Sequence, residues 1–103
     1  MDKKEAIEKV KKYSELVCNH LPVKMVILYG SYAKERARKD SDIDVAVVVN
    51  KVNEDFLMSE VQLYKLRREI DDRIEPVLLE EVNDKSGFLE QILKEGEIVY
   101  SRN

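Results

Sequence analysis

Tyr29-Gly30-Ser31-Tyr32-Ala33-Lys34-Glu35-Arg36-Ala37-Arg38-Lys39-Asp40-Ser41-Asp42-Ile43-Asp44-Val45 is the stretch on which the reading of this chain turns. One apolar run, Met25 to Tyr29, stops at a Gly-Ser turn. A basic segment follows. Two carboxylates, Asp42 and Asp44, then stand at the mouth of a second apolar run, Val45 to Val49. Both runs have strand length and β-branched content. Side chains two apart on a strand point to the same face, so Asp42 and Asp44 project together, close enough to share divalent cations. A glycine allows close backbone approach or positive φ. A serine at a helix start sets a hydroxyl beside backbone N–H groups, which suits phosphate. Each element alone is weak, because Gly-Ser after a strand is usually a turn and Asp-x-Asp is usually a solvated loop end. The turn before Asp42 and the apolar strand behind it reverse those odds.

Working outward, residues 3–20 read as a helix, with Ala6, Val10, Tyr13 and Val17 at helical spacing and Ile7 and Leu16 widening the stripe. Pro22 ends it. Residues 23–29 form the first strand, 31–37 a short helix opened by the turn, and 42–49 the second strand. The run from Val45 is continuously apolar, as in a strand covered on both faces. Residues 53–73 read as a long helix with Leu57, Val61, Tyr64 and Ile70 inward. Residues 74–79 form a third strand, which Pro76 places at an edge or at its start. Asp84 or Ser86 caps a last helix running to Lys94, Gly96 suits its C′ position, and Ile98 to Tyr100 add a final strand. The order predicts an α/β (α+β) fold: one domain over residues 1–103, with helices covering a small mixed sheet whose first two strands are neighbours.

Bulk properties restrict the function. The chain has 103 residues, 44% hydrophobic and 38% charged, with net charge −3. That is one compact core, with no apolar run long enough to span a bilayer. The charged N-terminus has no signal-peptide pattern, and one cysteine excludes an internal disulfide framework, so a cytoplasmic protein is expected. The net negative charge argues against direct nucleic-acid binding through bulk positive charge.

The candidate chemistry is therefore local. Hard carboxylate oxygens select Mg²⁺ or Mn²⁺, with substrate phosphates completing the shell, and a pair of such ions clamps both oxygens of an in-line displacement. Glu75, at the mouth of the third strand, is the best third carboxylate, as metal ligand or as base toward an acceptor hydroxyl; an exposed strand-end glutamate is the plain alternative, and Glu80 and Glu81 are weaker candidates. Lys34, Arg36, Arg38 and Lys39 are available to the β- and γ-phosphates of a nucleoside triphosphate. Spacing does not rank these four, and Arg36 stands for them beside Gly30 and Ser31 among the nucleotide-binding candidates. Tyr29 and Tyr32 flank the turn, with packing their default role. His20 is isolated, and Cys18 reads as a core or partly buried thiol.

Leu28-Tyr29-Gly30-Ser31-Tyr32-Ala33 followed by Ser41-Asp42-Ile43-Asp44-Val45 resembles the signature of the DNA polymerase β-like nucleotidyltransferase superfamily. The length and the ending Ile92-Leu93-Lys94-Glu95-Gly96-Glu97-Ile98-Val99-Tyr100 look like its minimal branch, whose members usually act as antitoxins beside a HEPN-domain ribonuclease toxin. The resemblance implies that fold, ATP as donor, Mg²⁺ as cofactor (two ions), and AMP transfer to a tyrosine of the toxin with loss of pyrophosphate. It implies that Gly30 and Ser31 hold the triphosphate, that Asp42 and Asp44 bind the metals, and that Glu75 fills the third-carboxylate position. Two departures stand out. The family often has a glycine in an Ala-Arg-Gly pattern where this chain has Ala33-Lys34-Glu35, and the third acid is more often Asp.

Three functions compete. The first is a Mg²⁺-dependent adenylyltransferase antitoxin. The second is a non-catalytic antitoxin that neutralises the toxin by binding and occlusion, motivated by the two departures. The third is transfer to a small molecule, which ranks last because such relatives carry a further acceptor domain. An exposed edge strand near Pro76 or at the C-terminus would support self-association or a hetero-oligomer with the toxin.

Overall fold

A computed structural model describes residues 1–52 and 55–102. Helix α1, Lys3–Cys18, starts where the Asp2 side chain accepts a hydrogen bond from the Glu5 N–H at 2.9 Å, an N-cap that satisfies one orphan donor. Its expected stripe is its buried face: Ala6, Val10, Tyr13 and Val17, joined by Ser14. Strands β1, Val23–Tyr29, and β2, Ile43–Val49, follow. Helix α2, Phe56–Arg67, leads to β3, Ile74–Glu80, a 3₁₀ turn at Glu81–Asn83, helix α3, Phe88–Glu95, and strand β4, Glu97–Ser101.

The sheet order is β3-β2-β1-β4. β1 runs antiparallel to both β2 and β4, whereas β2 and β3 are parallel, with α2 in their crossover. The mixed sheet and helical cover are those expected, and β3 is an edge strand, which Pro76 tolerates. Period-two alternation splits the core between the two sheet faces. Val26, Leu28, Ile43, Val45, Val47, Val49, Ile74 and Leu78 pack with α1 and with Leu63 and Leu66 of α2. Ile27, Ala46 and Val48 pack on the other face with Leu89 and Ile92 of α3. Asp44 therefore shares the α3 face with Ala46 and Val48, and Glu75 shares it with Val77 and Leu79.

The structure corrects the sequence reading in three places. Residues 31–35 form turns and residues 36–37 are irregular, rather than a helix, because the chain leaves helical geometry at Glu35, whose φ is 58°. The long helix ends at Arg67, well short of residue 73. There Asp71 accepts from the Arg73 backbone N–H at 2.8 Å and from its guanidinium, a side chain-to-backbone turn that competes with helix. The expected start at Asn53 lies outside the described residues; α2 begins after Asp55, which caps Leu57 and Met58. Finally, the inward face of α2 is Ser59, Leu63 and Leu66, with Ile70 half-buried after it, while Leu57, Val61 and Tyr64 are exposed. Both sides of this helix carry apolar residues, so its sequence gives no net direction.

The last helix is capped from outside: the Asp84 carboxylate accepts from the N–H groups of Leu89 and Glu90, at 2.9 and 3.0 Å, and Ser86 Oγ accepts from Phe88. Among the described residues no helix is long and apolar enough to cross a membrane.

Candidate active site

Three strands deliver the site. In the sheet register Tyr29 of β1 faces Asp44 of β2, and Asp44 faces Glu75 of β3. Directly opposed residues share a face, so one row runs Tyr29, Asp44, Glu75 on the α3 side. Asp42 lies just before β2, two residues from Asp44, and is exposed.

The Gly-Ser turn closes over this row. Gly30 has φ 74°, and a Cβ built on it would collide with the Asp44 carboxylate. Only glycine brings the backbone against that carboxylate in this conformation. After Gly30 the chain makes a single helical turn. The Lys34 N–H bonds to the Gly30 carbonyl at 3.2 Å, the Arg36 N–H to Ser31 at 2.8 Å and the Glu35 N–H to Tyr32 at 3.2 Å. The last two bonds, with Glu35 left-handed between them, are a Schellman closure. Among the described residues the N–H groups of Ser31, Tyr32 and Ala33 find no backbone or side-chain acceptor, which leaves donors beside Asp44.

The proximity of the carboxylates has an electrostatic consequence. Asp44 is raised above the usual carboxylate range, first by burial and then by the charges of Asp42 and Glu75. Tyr29 is raised by burial, then by Asp44, Tyr64 and Glu75. A half-buried carboxylate pushed up by burial and then by like charges is a position where a cation would be welcome.

Glu75 has protein partners already. Arg67 Nη1 donates to it at 3.2 Å and also to the Ile74 carbonyl at 2.8 Å, while the Tyr64 hydroxyl donates to Glu75 Oε2 at 3.3 Å. The Arg67 guanidinium lies 4.9 Å from the centre of the Tyr64 ring. Arg67 and Tyr64 were not legible as site residues in the sequence; their only trace is the i, i+3 spacing on α2 that lets them meet. Among the described residues no three His, Cys, Asp or Glu side chains are gathered tightly enough to hold a metal unaided. The donor set still suits a hard cation, because Mg²⁺ typically takes one or two carboxylates and completes its shell with water and substrate phosphates.

The remaining candidates separate clearly. Arg36, Arg38 and Lys39 are exposed around the loop, and Lys34 pairs with Glu95 at 3.4 Å. Tyr32 is buried, whereas Tyr29 packs edge-on against Phe88 with ring centres 5.8 Å apart. Glu81 pairs with Lys24, and Glu80 accepts from the Val52 N–H. His20 is exposed beside Gln62, and Cys18 is half-buried.

The chain matches the family model described as polymerase beta, nucleotidyltransferase, over residues 8–103. No curated protein matches it in sequence. Among solved structures it is similar to a protein from Sulfolobus solfataricus described as a nucleotidyltransferase, with TM-score 0.71 and 21% identity over 97% of this chain and 84% of that one. It is also similar to a toxin–antitoxin structure with AMP-PNP, with TM-score 0.65 and 20% identity over 92% of this chain and 74% of that one. A third similar structure is the toxin–antitoxin MntA–HepT, with TM-score 0.59 and 18% identity over 96% and 73% of the two chains.

Proposed function

This chain belongs to the polymerase β-like nucleotidyltransferase family, and from that premise we propose that it is a Mg²⁺-dependent antitoxin that transfers AMP from ATP to a tyrosine hydroxyl of a HEPN-domain ribonuclease toxin. The observation that carries the reading is the packing of the Gly30 backbone against the Asp44 carboxylate, with Glu75 next in the same cross-strand row. The toxin–antitoxin structures, one of them with AMP-PNP, support the partner class and the donor.

In this reading Gly30 and Ser31 bind the triphosphate through the turn's N–H groups, and Arg36 meets its outer phosphates. Asp42 and Asp44 hold the cations. Bound there, Mg²⁺ neutralises the triphosphate and the departing pyrophosphate. Glu75, oriented by Arg67, takes the proton of the acceptor hydroxyl. Residues 1–103 act as one cytoplasmic domain, and the partner supplies the acceptor hydroxyl.

A second reading, an antitoxin that only binds and occludes, is favoured by two observations. Glu35 occupies the left-handed position where the family often has glycine, and Glu75 is engaged by Arg67 and Tyr64. The deciding assay supplies ATP labelled on the α-phosphate, Mg²⁺ and the neighbouring gene's product, with Asp42→Asn/Asp44→Asn in parallel. Label on the partner with wild type alone is expected. A tight complex without label would establish occlusion instead.

A further inference from the structure

The chain has five tyrosines, and one of them is hydrogen-bonded to Glu75. Tyr13 is buried and donates to the Leu63 carbonyl at 2.7 Å. Tyr32 is buried. Tyr29 packs on Phe88, and Tyr100 lies on β4, across the sheet from β3. Tyr64 is 40% exposed, and its hydroxyl donates to Glu75 Oε2. Glu75 is in register with Asp44 on the same sheet face.

We propose that Tyr64 is an intramolecular nucleotidyl acceptor, so that the chain transfers a nucleoside monophosphate onto its own Tyr64 hydroxyl. The inference rests on the nucleotidyltransferase reading and assigns a substrate to the same centre. A phenol already hydrogen-bonded to the carboxylate that serves as base has the donor and acceptor atoms of the proton transfer in place. Arg67 holds both partners: it donates to Glu75 and lies over the Tyr64 ring. Held in this way, a hydroxyl avoids the entropic cost of a bimolecular encounter.

The step balances with a nucleoside triphosphate as co-reactant. Tyr64 Oη bonds to the α-phosphorus, and the bridging bond between the α- and β-phosphates breaks. Pyrophosphate leaves with that electron pair, and the phenolic proton passes to Glu75. The product carries a charged nucleotide on the exposed Leu57, Val61 and Tyr64 side of α2, converting an apolar face into a polar, anionic one.

The test incubates the full chain alone with α-labelled ATP and Mg²⁺, then maps the modified peptide by mass spectrometry. Wild type is expected to gain one nucleoside monophosphate on Tyr64, and Tyr64→Phe and Asp42→Asn/Asp44→Asn are expected to gain none. Because Tyr64 is bonded to the Glu75 of its own chain, the fraction labelled per unit time is expected not to change on dilution. A parallel measurement needs no turnover: binding of a non-hydrolysable ATP analogue, read by calorimetry and by protection of Tyr64 from nitration. Analogue binding without label, label on another tyrosine, or a rate that falls on dilution overturns the inference and leaves the nucleotidyltransferase reading standing. Absence of both binding and label overturns the two together. Circular dichroism of Tyr64→Phe confirms that a missing label reflects the hydroxyl and not the fold.

Discussion

Gly30 joins backbone conformation to electrostatics at a single residue. Its φ is positive, and its missing side chain is the space that the Asp44 carboxylate fills. Gly30→Ala is expected to lower stability by at least about 1–2 kcal/mol, the cost of a left-handed alanine, and to displace Asp44. Thermal melting and ATP-analogue titration would check both effects. Glu35 is the opposite case, a non-glycine residue at φ 58°. Replacing it relieves roughly 1–2 kcal/mol of left-handed strain but adds unfolded-state entropy worth about 0.4–1 kcal/mol. Glu35→Gly is therefore expected to stabilise modestly, by about 0.5–1 kcal/mol, as measured by urea unfolding. Asp44 gives a third expectation. Its folded-state pKa is raised, so the folded chain holds that proton more tightly than the unfolded one, and stability is lost as pH climbs through the range. Asp44→Asn should raise the melting temperature at neutral pH without metal while abolishing transfer. A lower melting temperature would show that the carboxylate serves the fold.

Helix α2 illustrates how an element with two apolar sides is oriented. Leu63 and Leu66 face the core, and Leu63 is fully buried, whereas Leu57 is 66% exposed. Leu63→Ala should cost about 2–5 kcal/mol, against less than about 0.5 kcal/mol for Leu57→Ala, both read from denaturant midpoints. Equal costs would mean that the helix is rotated. The Tyr13 hydroxyl, donating to the Leu63 carbonyl, fixes α1 to α2 at that level. Because Leu63 and Leu66 anchor the other side, Tyr64 and Arg67 are left to reach round to Glu75.

Across the whole molecule, Asp71 ties distant parts of the chain together. It accepts from Lys9 of α1 and from the Arg73 backbone and guanidinium, the latter at 2.9 and 3.1 Å, just before β3. The Arg73 hydrogen bonds chiefly, then those from Lys9, hold its pKa well below the usual carboxylate range against the opposing effect of burial. A carboxylate depressed in the folded state stabilises fully above its unfolded value of about 3.9 and loses that contribution as pH falls further. Asp71→Asn is expected to cost about 2 kcal/mol at pH 7, a typical loss for hydrogen bonds to a charged group. The gap from wild type should close as pH falls below about 4, as seen in melts at a series of pH values. A gap independent of pH would mean that the charge plays no part.

Much of this was written in local sequence. The apolar run Val45 to Val49, the Gly-Ser turn, the Asp-x-Asp pair, the α1 stripe and the Asp84 signal at the start of α3 each act within a few residues, so periodicity and turn chemistry reveal them. The mixed fold and the family followed from those elements. Gly96 differs from its expected C′ role: it is the C-cap of α3, in extended backbone with φ −93°. The rotation of α2 was not legible, because both of its stripes are helical and only packing against the sheet chose between them. The loss of the helix after Ser31 needed the backbone angle of Glu35. The partners of Glu75 needed the parallel register of β2 with β3, which sets Asp44 opposite Glu75 and lets Tyr64 and Arg67 close on it. Sequence determined which groups are candidates for the chemistry, because residue identity and near-neighbour spacing are local. Tertiary structure decided which of them meet, because contacts between elements depend on strand register and helix rotation, and many sequences leave both open.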